Sequence, residues 1–282
     1  MKEQILFCAS VVMLYVAGCS PVNDQTQHAT DAKLNTKADV ESVLSLLYQQ
    51  QAAEYRALCL QAYNIAKRRV DDVKKNKNYK GKRFAIITDL DETILDNSGS
   101  TAWLYLHDSA TNYPFLMQWW LKGIADSVPG SVSFFNYAYD HGVDVYYISN
   151  RPDTDVVVKA AMRNMHNLGF PRTNDSDLSH FLFMKPKTKF SSKEARREQV
   201  EQMDSVIAFL GDNLIDLDSS FDGKPKDLRR MDVDKLKDKW GDRYIVFPNA
   251  IYGDWESRLY DTPGLTIYQK DSVRAATLRV VL

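Results

Sequence analysis

Two aspartates, Asp89 and Asp91, stand one residue apart in Asp89-Leu90-Asp91-Glu92-Thr93, directly after the apolar run Phe84-Ala85-Ile86-Ile87-Thr88. The run reads as a buried strand, so the pair falls at a strand's carboxyl end. In an open parallel α/β sheet that end faces the crevice where ligands bind. Residues i and i+2 of an extended chain share a face, and the chain turns away just after them. Asp89 is therefore placed to attack while Asp91 handles a proton. A lone Asp-x-Asp is a weak signal, because Asp and Asn are common in turns that follow strands. Asp-x-Asp-x-Thr behind an apolar strand, followed by Ile94-Leu95-Asp96-Asn97, is much more specific.

Three further apolar runs, Val143 to Ile148, Val206 to Leu210 and Tyr244 to Phe247, are separated by helix-like segments. That alternation predicts a parallel sheet with helices on both faces. Two of the runs end in polar residues, Ser149-Asn150-Arg151 and Gly211-Asp212-Asn213-Leu214-Ile215-Asp216. Three strand ends carrying carboxylates and a hydroxyl then converge on one site. Ahead of the first strand, Val40, Val43, Leu44, Leu46, Leu47, Ala53, Leu58, Ala62, Ile65 and Ala66 recur at helical spacing, predicting one long or two shorter amphipathic helices over 38–78. Residues 79–282 supply the α/β core.

The formal net charge of -1 gives no electrostatic case for nucleic acid. The basic run from Lys74 to Arg83 reads as a solvated linker, against the alternative of a membrane or polyanion patch. At the amino terminus, Lys2 is followed by an apolar stretch from Ile5 to Val16 and then Ala17-Gly18-Cys19. An apolar region this short does not span a bilayer as a stable helix, and the small residues before Cys19 suit a peptidase. The segment resembles bacterial lipoprotein precursors. That implies a signal peptide over 1–18, an acylated Cys19, and a polar tether over 19–37. An ordinary cleaved signal and a plain membrane anchor are the alternatives. Ser20, where an Asp would retain the protein at the inner membrane, implies a bacterial cell-envelope protein sorted to the outer membrane. Cys8 would be removed and Cys19 lipidated, leaving Cys59 without a partner for an intramolecular disulfide. Its helical surroundings suit a small buried residue better than a nucleophile.

Four motifs in this order resemble the haloacid dehalogenase (HAD) superfamily, from about Ala38 to Asp254. The wording Asp-Leu-Asp-Glu-Thr-Ile-Leu-Asp-Asn-Ser, the Gly-Asp-Asn-Leu-x-Asp motif and Tyr252-Gly253-Asp254-Trp255-Glu256 are similar to the class C acid phosphatases, the outer-membrane lipoprotein acid phosphatase and 5'-nucleotidase family. The resemblance implies a three-layer α/β/α core with a parallel sheet and a smaller helical cap. It also implies hydrolysis of phosphomonoesters, nucleoside 5'-monophosphates among them, and a possible homodimer.

Under that resemblance Asp89 is the nucleophile that becomes an aspartyl-phosphate, and Asp91 is the general acid and then base. A covalent intermediate divides hydrolysis into two easier displacements, and an alkoxide leaving group needs a proton in the first. These roles call for a raised pKa at Asp91 and an ionised Asp89. Mg2+ is implied as cofactor, held by the Asp89 carboxylate, the Asp91 backbone carbonyl and Asp212, with Asp216 orienting the Asp212 side. Scattered histidines and hard oxygen donors argue against zinc. Ser149 would donate to a phosphoryl oxygen, with Asn150 beside it in contact with substrate; as a bare sequence feature Ser149 also reads as a helix cap. The third motif needs a lysine, for which Lys185, Lys187, Lys189 and Lys193 compete. Lys193 is preferred, because Ser191-Ser192-Lys193-Glu194 resembles a capping sequence that puts it in a helix's first turn, and because it best matches the family's Lys-Ser-x-Arg-like segment.

The segment 99–129 carries Trp103, Tyr105, Tyr113, Phe115, Trp119 and Trp120. HAD enzymes place substrate-selecting insertions there. The family pattern puts Trp119 and Tyr252 where aromatic rings stack on a nucleotide base; closure of a small helical core is the other reading of these rings. Asp91 argues against ion-pumping ATPases and dehalogenases, which lack an acid there. The leader argues against cytosolic mutases, and the lipobox against class B phosphatases. A different class of function is a surface lipoprotein that binds haem or a nucleoside on a catalytically idle HAD scaffold.

Overall fold

The computed structural model describes residues 37–75, 81–107, 109, 111–185, 192–262 and 264–281. The expected signal segment, Cys19 and the expected tether up to residue 36 lie outside the described residues, as do Lys187 and Lys189. The chain divides into residues 1–40 and 41–282, and the fold below is that of the second unit.

Helix α1 (Lys37–Gln51) is followed after one residue by α2 (Ala53–Lys75). Next come β1 (Phe84–Thr88), β2 (Leu95–Asp96), α3 (Ser98–Leu106), α4 (Tyr113–Lys122), β3 (Asp126–Ser127) and α5 (Ser131–Asp140). The remainder runs β4 (Val143–Pro152), α6 (Asp155–Leu168), β5 (Phe181–Met184), α7 (Glu194–Met203), β6 (Ser205–Gly211), α8 (Lys226–Lys235), β7 (Tyr244–Val246), α9 (Asp254–Ser257) and α10 (Ile267–Thr277). No helix among the described residues is long and apolar enough to cross a membrane.

Five strands form one parallel sheet in the order β5-β4-β1-β6-β7. All five residues of β1 are buried, as a central strand covered on both faces requires. Alternate side chains enter two cores. Phe84 and Ile86 join Val70, Phe135 and Met165 on the face covered by α2, α5 and α6, whereas Ala85 and Ile87 join Val200, Phe209 and Tyr244 on the face covered by α7. This is the expected α/β/α architecture.

The sheet departs from the sequence reading at β5. Phe181-Leu182-Phe183-Met184, four apolar residues that alternate buried and half-buried, forms a fifth strand that the apolar runs singled out in the sequence do not include. β4 also outruns its apolar stretch, because Ser149 and Pro152 still pair with Phe183 and Met184 across a register shift. Such irregularities bend a strand and re-aim its side chains.

β1 sits where the strand order reverses, with β4 on one side and β6 on the other. The crevice at this reversal is the ligand-binding position of such sheets. The small antiparallel ladder of β2 and β3 ties together the ends of the insertion that contains α3 and α4. Asn164 of α6 holds the insertion's exit: its amide accepts from Ala125 N (2.9 Å) and donates to Ala125 O (2.8 Å). From the other side, α1 and α2 support the turn after β1. Tyr63 Oη donates to Thr93 O (2.6 Å), and Gln49 Nε2 donates to Asp96 Oδ1 (2.9 Å).

Candidate active site

Asp89 directly follows β1, and its N–H continues the ladder by donating to Leu210 O (2.9 Å). The backbone then reverses through Glu92, which adopts φ 59°, a left-handed conformation rare for a residue with a Cβ. Hydrogen bonds compensate for it: the buried Glu92 carboxyl accepts from Asn97 N (2.8 Å) and from Tyr252 Oη. Asp89 and Asp91 thus emerge on a turn held by α2 from behind and by Glu92 from within.

Lys193 is 3% exposed, and its ammonium lies between the carboxylates of Asp89 and Asp216, 2.8 Å from Asp216 Oδ1. It occupies the N-cap of α7, one residue before the first turn in which the sequence placed it. A cation is disfavoured at a helix N-terminus unless an anion faces it, and here two do. Burial pulls the ammonium pKa down, but Asp216 and Asp89 raise it further than burial lowers it. Lys185, by contrast, is exposed at the end of β5.

Asp212 follows β6. Its Oδ2 accepts from Asn249 Nδ2 (2.8 Å) and its Oδ1 from Thr93 Oγ1 (3.4 Å). Asp216 folds back on the strand end and accepts from Asn213 N at 3.0 Å. Gly211 permits this approach: a Cβ there would meet Asp216 Cβ at 2.5 Å. Oxygens of Asp89, Asp212 and Asp216 lie within 4.8 Å of one another. Burial pushes Asp89 up to about 7, reinforced by Asp216 and Asp91 against the pull of Lys193. Burial likewise raises Asp212 well above the usual carboxylate range, with Asp216 and Asp89 adding to it. Three carboxylates facing one lysine leave a negative excess that suits a divalent cation, and the hard oxygen donors are those such ions prefer. Both oxygens of Asp216 are already engaged, by Lys193 and by Asn213 N.

Asp91 points to a different partner. Arg151, 2% exposed, donates to it from Nη2 (2.6 Å) and Nε (3.1 Å), and Asn97 Nδ2 donates at 2.8 Å. Burial pushes the Asp91 carboxyl up, yet Arg151 and Asn97 bring it below its ordinary value. The expected pattern, Asp91 raised and Asp89 ionised, is thus inverted in the protein alone. The reason is that the cation found beside Asp91 is an arginine, which the sequence reading did not bring to the site. Arg151 is itself backed by the Trp120 ring, 5.7 Å from its guanidinium carbon.

Ser149 is fully buried near the end of β4, where its Oγ accepts from Arg151 N (3.1 Å). The Asn150 side-chain oxygen accepts from Arg196 Nη2 at 2.6 Å, while Arg196 Nη1 donates to Ser149 O at 2.6 Å. Arg196 therefore joins the β4 end to α7, the element that carries Lys193. Trp119 and Tyr252 belong to one hydrogen-bonded set. Trp119 Nε1 donates to Asn97 Oδ1 (2.7 Å), and Tyr252 Oη donates to Glu92, which in turn accepts from Asn97 N.

Arg151, Glu92, Asn97, Asn249 and Arg196 are the site residues that sequence reasoning passed over. Arg151, Glu92 and Asn97 were in plain view within the polar strand tails. Asn249 carries no local signal, since it lies in the loop after β7.

A family model for the HAD superfamily, subfamily IIIB (acid phosphatase), matches residues 8–255. Two solved structures are similar to this chain. The class C acid phosphatase from Bacillus anthracis with tungstate bound is 36% identical, with 87% of this chain and 99% of that chain covered and a TM-score of 0.77. A second structure of the class C acid phosphatase from Bacillus anthracis is also 36% identical, with 86% and 98% covered and a TM-score of 0.76. With the family's fold, its motif residues at one crevice, and these matches along most of its length, the chain belongs to HAD subfamily IIIB, the class C acid phosphatases, and is a phosphomonoester hydrolase.

Proposed function

We propose that this acid phosphatase is magnesium-dependent, hydrolyses nucleoside 5'-monophosphates, and works through an aspartyl-phosphate on Asp89. The observation that carries the reading is the meeting of Asp89, Lys193, Asp212 and Asp216 at the switch point of the sheet, with Asp91 beside them. An Asp89 carboxylate oxygen attacks phosphorus, and the bond from phosphorus to the ester oxygen breaks. Asp91 gives its proton to the departing oxygen. Water then attacks the same phosphorus as Asp91 takes a proton from it, releasing phosphate and restoring Asp89. Lys193 neutralises charge on the reacting oxygens, and Ser149 donates to a phosphoryl oxygen.

Asp89, Asp212 and the Asp91 carbonyl would hold Mg2+, whose charge lets an anionic nucleophile approach an anionic ester. Tungstate, bound by the Bacillus anthracis relative, is a tetrahedral oxyanion like phosphate, which supports a phosphate-binding role for this chain. Trp119 and Tyr252 would stack on the base, and their attachment to one hydrogen-bonded set supports their acting together. Asp91 can act as an acid only when protonated against the hold of Arg151, which supports a rate that falls as pH rises.

Phosphate release from nucleoside monophosphates, sugar phosphates and an aryl phosphate, with and without Mg2+ after chelation, tests the reading. Mg2+-dependent release, fastest for the nucleotides and abolished in Asp89→Asn, is expected. Substantial turnover by folded, metal-loaded Asp89→Asn would remove Asp89 as nucleophile. Anchoring at the outer membrane through an acylated Cys19, and assembly as a homodimer, complete the proposal. Mass spectrometry of the mature amino terminus and sedimentation test them.

A further inference from the structure

Asn97 is the residue through which the substrate-selecting aromatics and the proton-handling carboxylate touch. Its Oδ1 accepts from Trp119 Nε1 (2.7 Å), its Nδ2 donates to Asp91 Oδ1 (2.8 Å), and its N–H donates to Glu92 Oε1 (2.8 Å). The orientation of the amide is forced by chemistry, because indole N–H can only donate and a carboxylate can only accept. Asn97 is also the N-cap of α3, a position where Asn ordinarily caps the helix with its side chain. Here the side chain makes no capping bond, so its amide serves the site and the helix goes without. It is buried, and its backbone oxygen is fixed by Ser100 N (2.9 Å) and Ser100 Oγ (2.8 Å).

We propose that Asn97 is a positioning residue that sets Trp119 and Asp91 relative to each other, so that the group recognised by the ring presents its ester oxygen to the acid. The inference rests on the nucleotide reading above for the role of Trp119, and on geometry alone for Asp91. An asparagine suits this place because it carries a donor and an acceptor on one short arm. Aspartate keeps the acceptor and loses the donor, and serine reaches neither partner.

The test compares kcat/KM for a nucleoside monophosphate, ribose 5-phosphate and 4-nitrophenyl phosphate in the full enzyme and in Asn97→Ser and Asn97→Asp. Misplacing the acid weighs on poor leaving groups and spares the good nitrophenolate. For Asn97→Ser, ribose 5-phosphate should lose about tenfold or more relative to 4-nitrophenyl phosphate, a part of the roughly 10²–10⁴-fold that general-acid catalysis contributes. The nucleotide should lose more still, through KM. For Asn97→Asp the extra loss on the nucleotide should vanish while the leaving-group effect stays. Equal losses on all three substrates, or unchanged ratios, would overturn the proposal. Should Asn97→Ser fail to fold, Trp119→Phe keeps an aromatic ring and removes the donor: a raised KM for the nucleotide alone is expected, and unchanged kinetics would overturn it. A wild type that treats nucleotide and ribose 5-phosphate alike would sink the nucleotide reading, while the leaving-group comparison would still decide the link to Asp91.

Discussion

Arg151 grips Asp91 through two nitrogens, at 2.6 and 3.1 Å, and is almost wholly buried in doing so. Removing one member of a buried ion pair strands the other. Arg151→Ala should destabilise the fold by roughly 3 kcal/mol and lower kcat/KM by about a hundredfold or more, as expected when a general acid loses its orientation. Urea denaturation and steady-state kinetics check this. An Arg151→Ala enzyme with wild-type turnover would show that Asp91 is oriented without it.

Three carboxylates face the single ammonium of Lys193, so removing divalent cations should leave the crevice repelling itself. Mg2+, if it is the ion held there, should at a hundredfold excess over its Kd stabilise by about 2.7 kcal/mol, a rise of roughly 5–10 °C in Tm for a chain of this size. Thermal unfolding of chelated protein with and without Mg2+ reads this independently of activity, and Asp212→Asn should shrink the rise.

Gly211 has no side chain because Asp216 occupies the space, with its Cβ 2.5 Å from where a Gly211 Cβ would lie. Gly211→Ala should displace Asp216 from Lys193 and cost about 1–3 kcal/mol, the range for overpacking. A lowered Tm together with a weakened Mg2+-induced stabilisation is the expected result.

Asp144, remote from the crevice, supplies a pH-dependent share of stability. Burial pushes its carboxyl up, but hydrogen bonds from His180, Arg172 and Val145 N bring it to about 2. A carboxyl lower in the folded than in the unfolded chain stabilises fully above about pH 4. That contribution fades as pH falls toward 2. Asp144→Asn should therefore lose less Tm than the wild type between pH 4 and 2. Parallel Tm curves would contradict it.

The strand ends were legible in the sequence because buried parallel strands are continuous apolar runs, and Asp89, Ser149 and Asp212 stand where three such runs turn polar. Lys193 was preferred among four lysines from a capping sequence and a family segment that put it in a helix's first turn, and the structure sets it at the N-cap of α7. The charge state of the acid pair was not legible, because it depends on which cation folds against which carboxylate. Arg151 reaches Asp91 across 60 positions of sequence, and Lys193 reaches Asp89 across 104. Asn249 was hidden for the same reason: tertiary proximity, not local pattern, gives it its place, whereas β5 is a short apolar run of the same kind as β7.

During turnover Asp89 is expected to become covalently phosphorylated. Quenching the enzyme during turnover, reducing it with borohydride and sequencing the peptides by mass spectrometry tests it most directly, since an aspartyl-phosphate is reduced to homoserine while a free carboxylate is not. Homoserine at position 89, dependent on substrate and absent from Asp89→Asn, is the expected result. Homoserine at another aspartate, or none during rapid turnover, would contradict it.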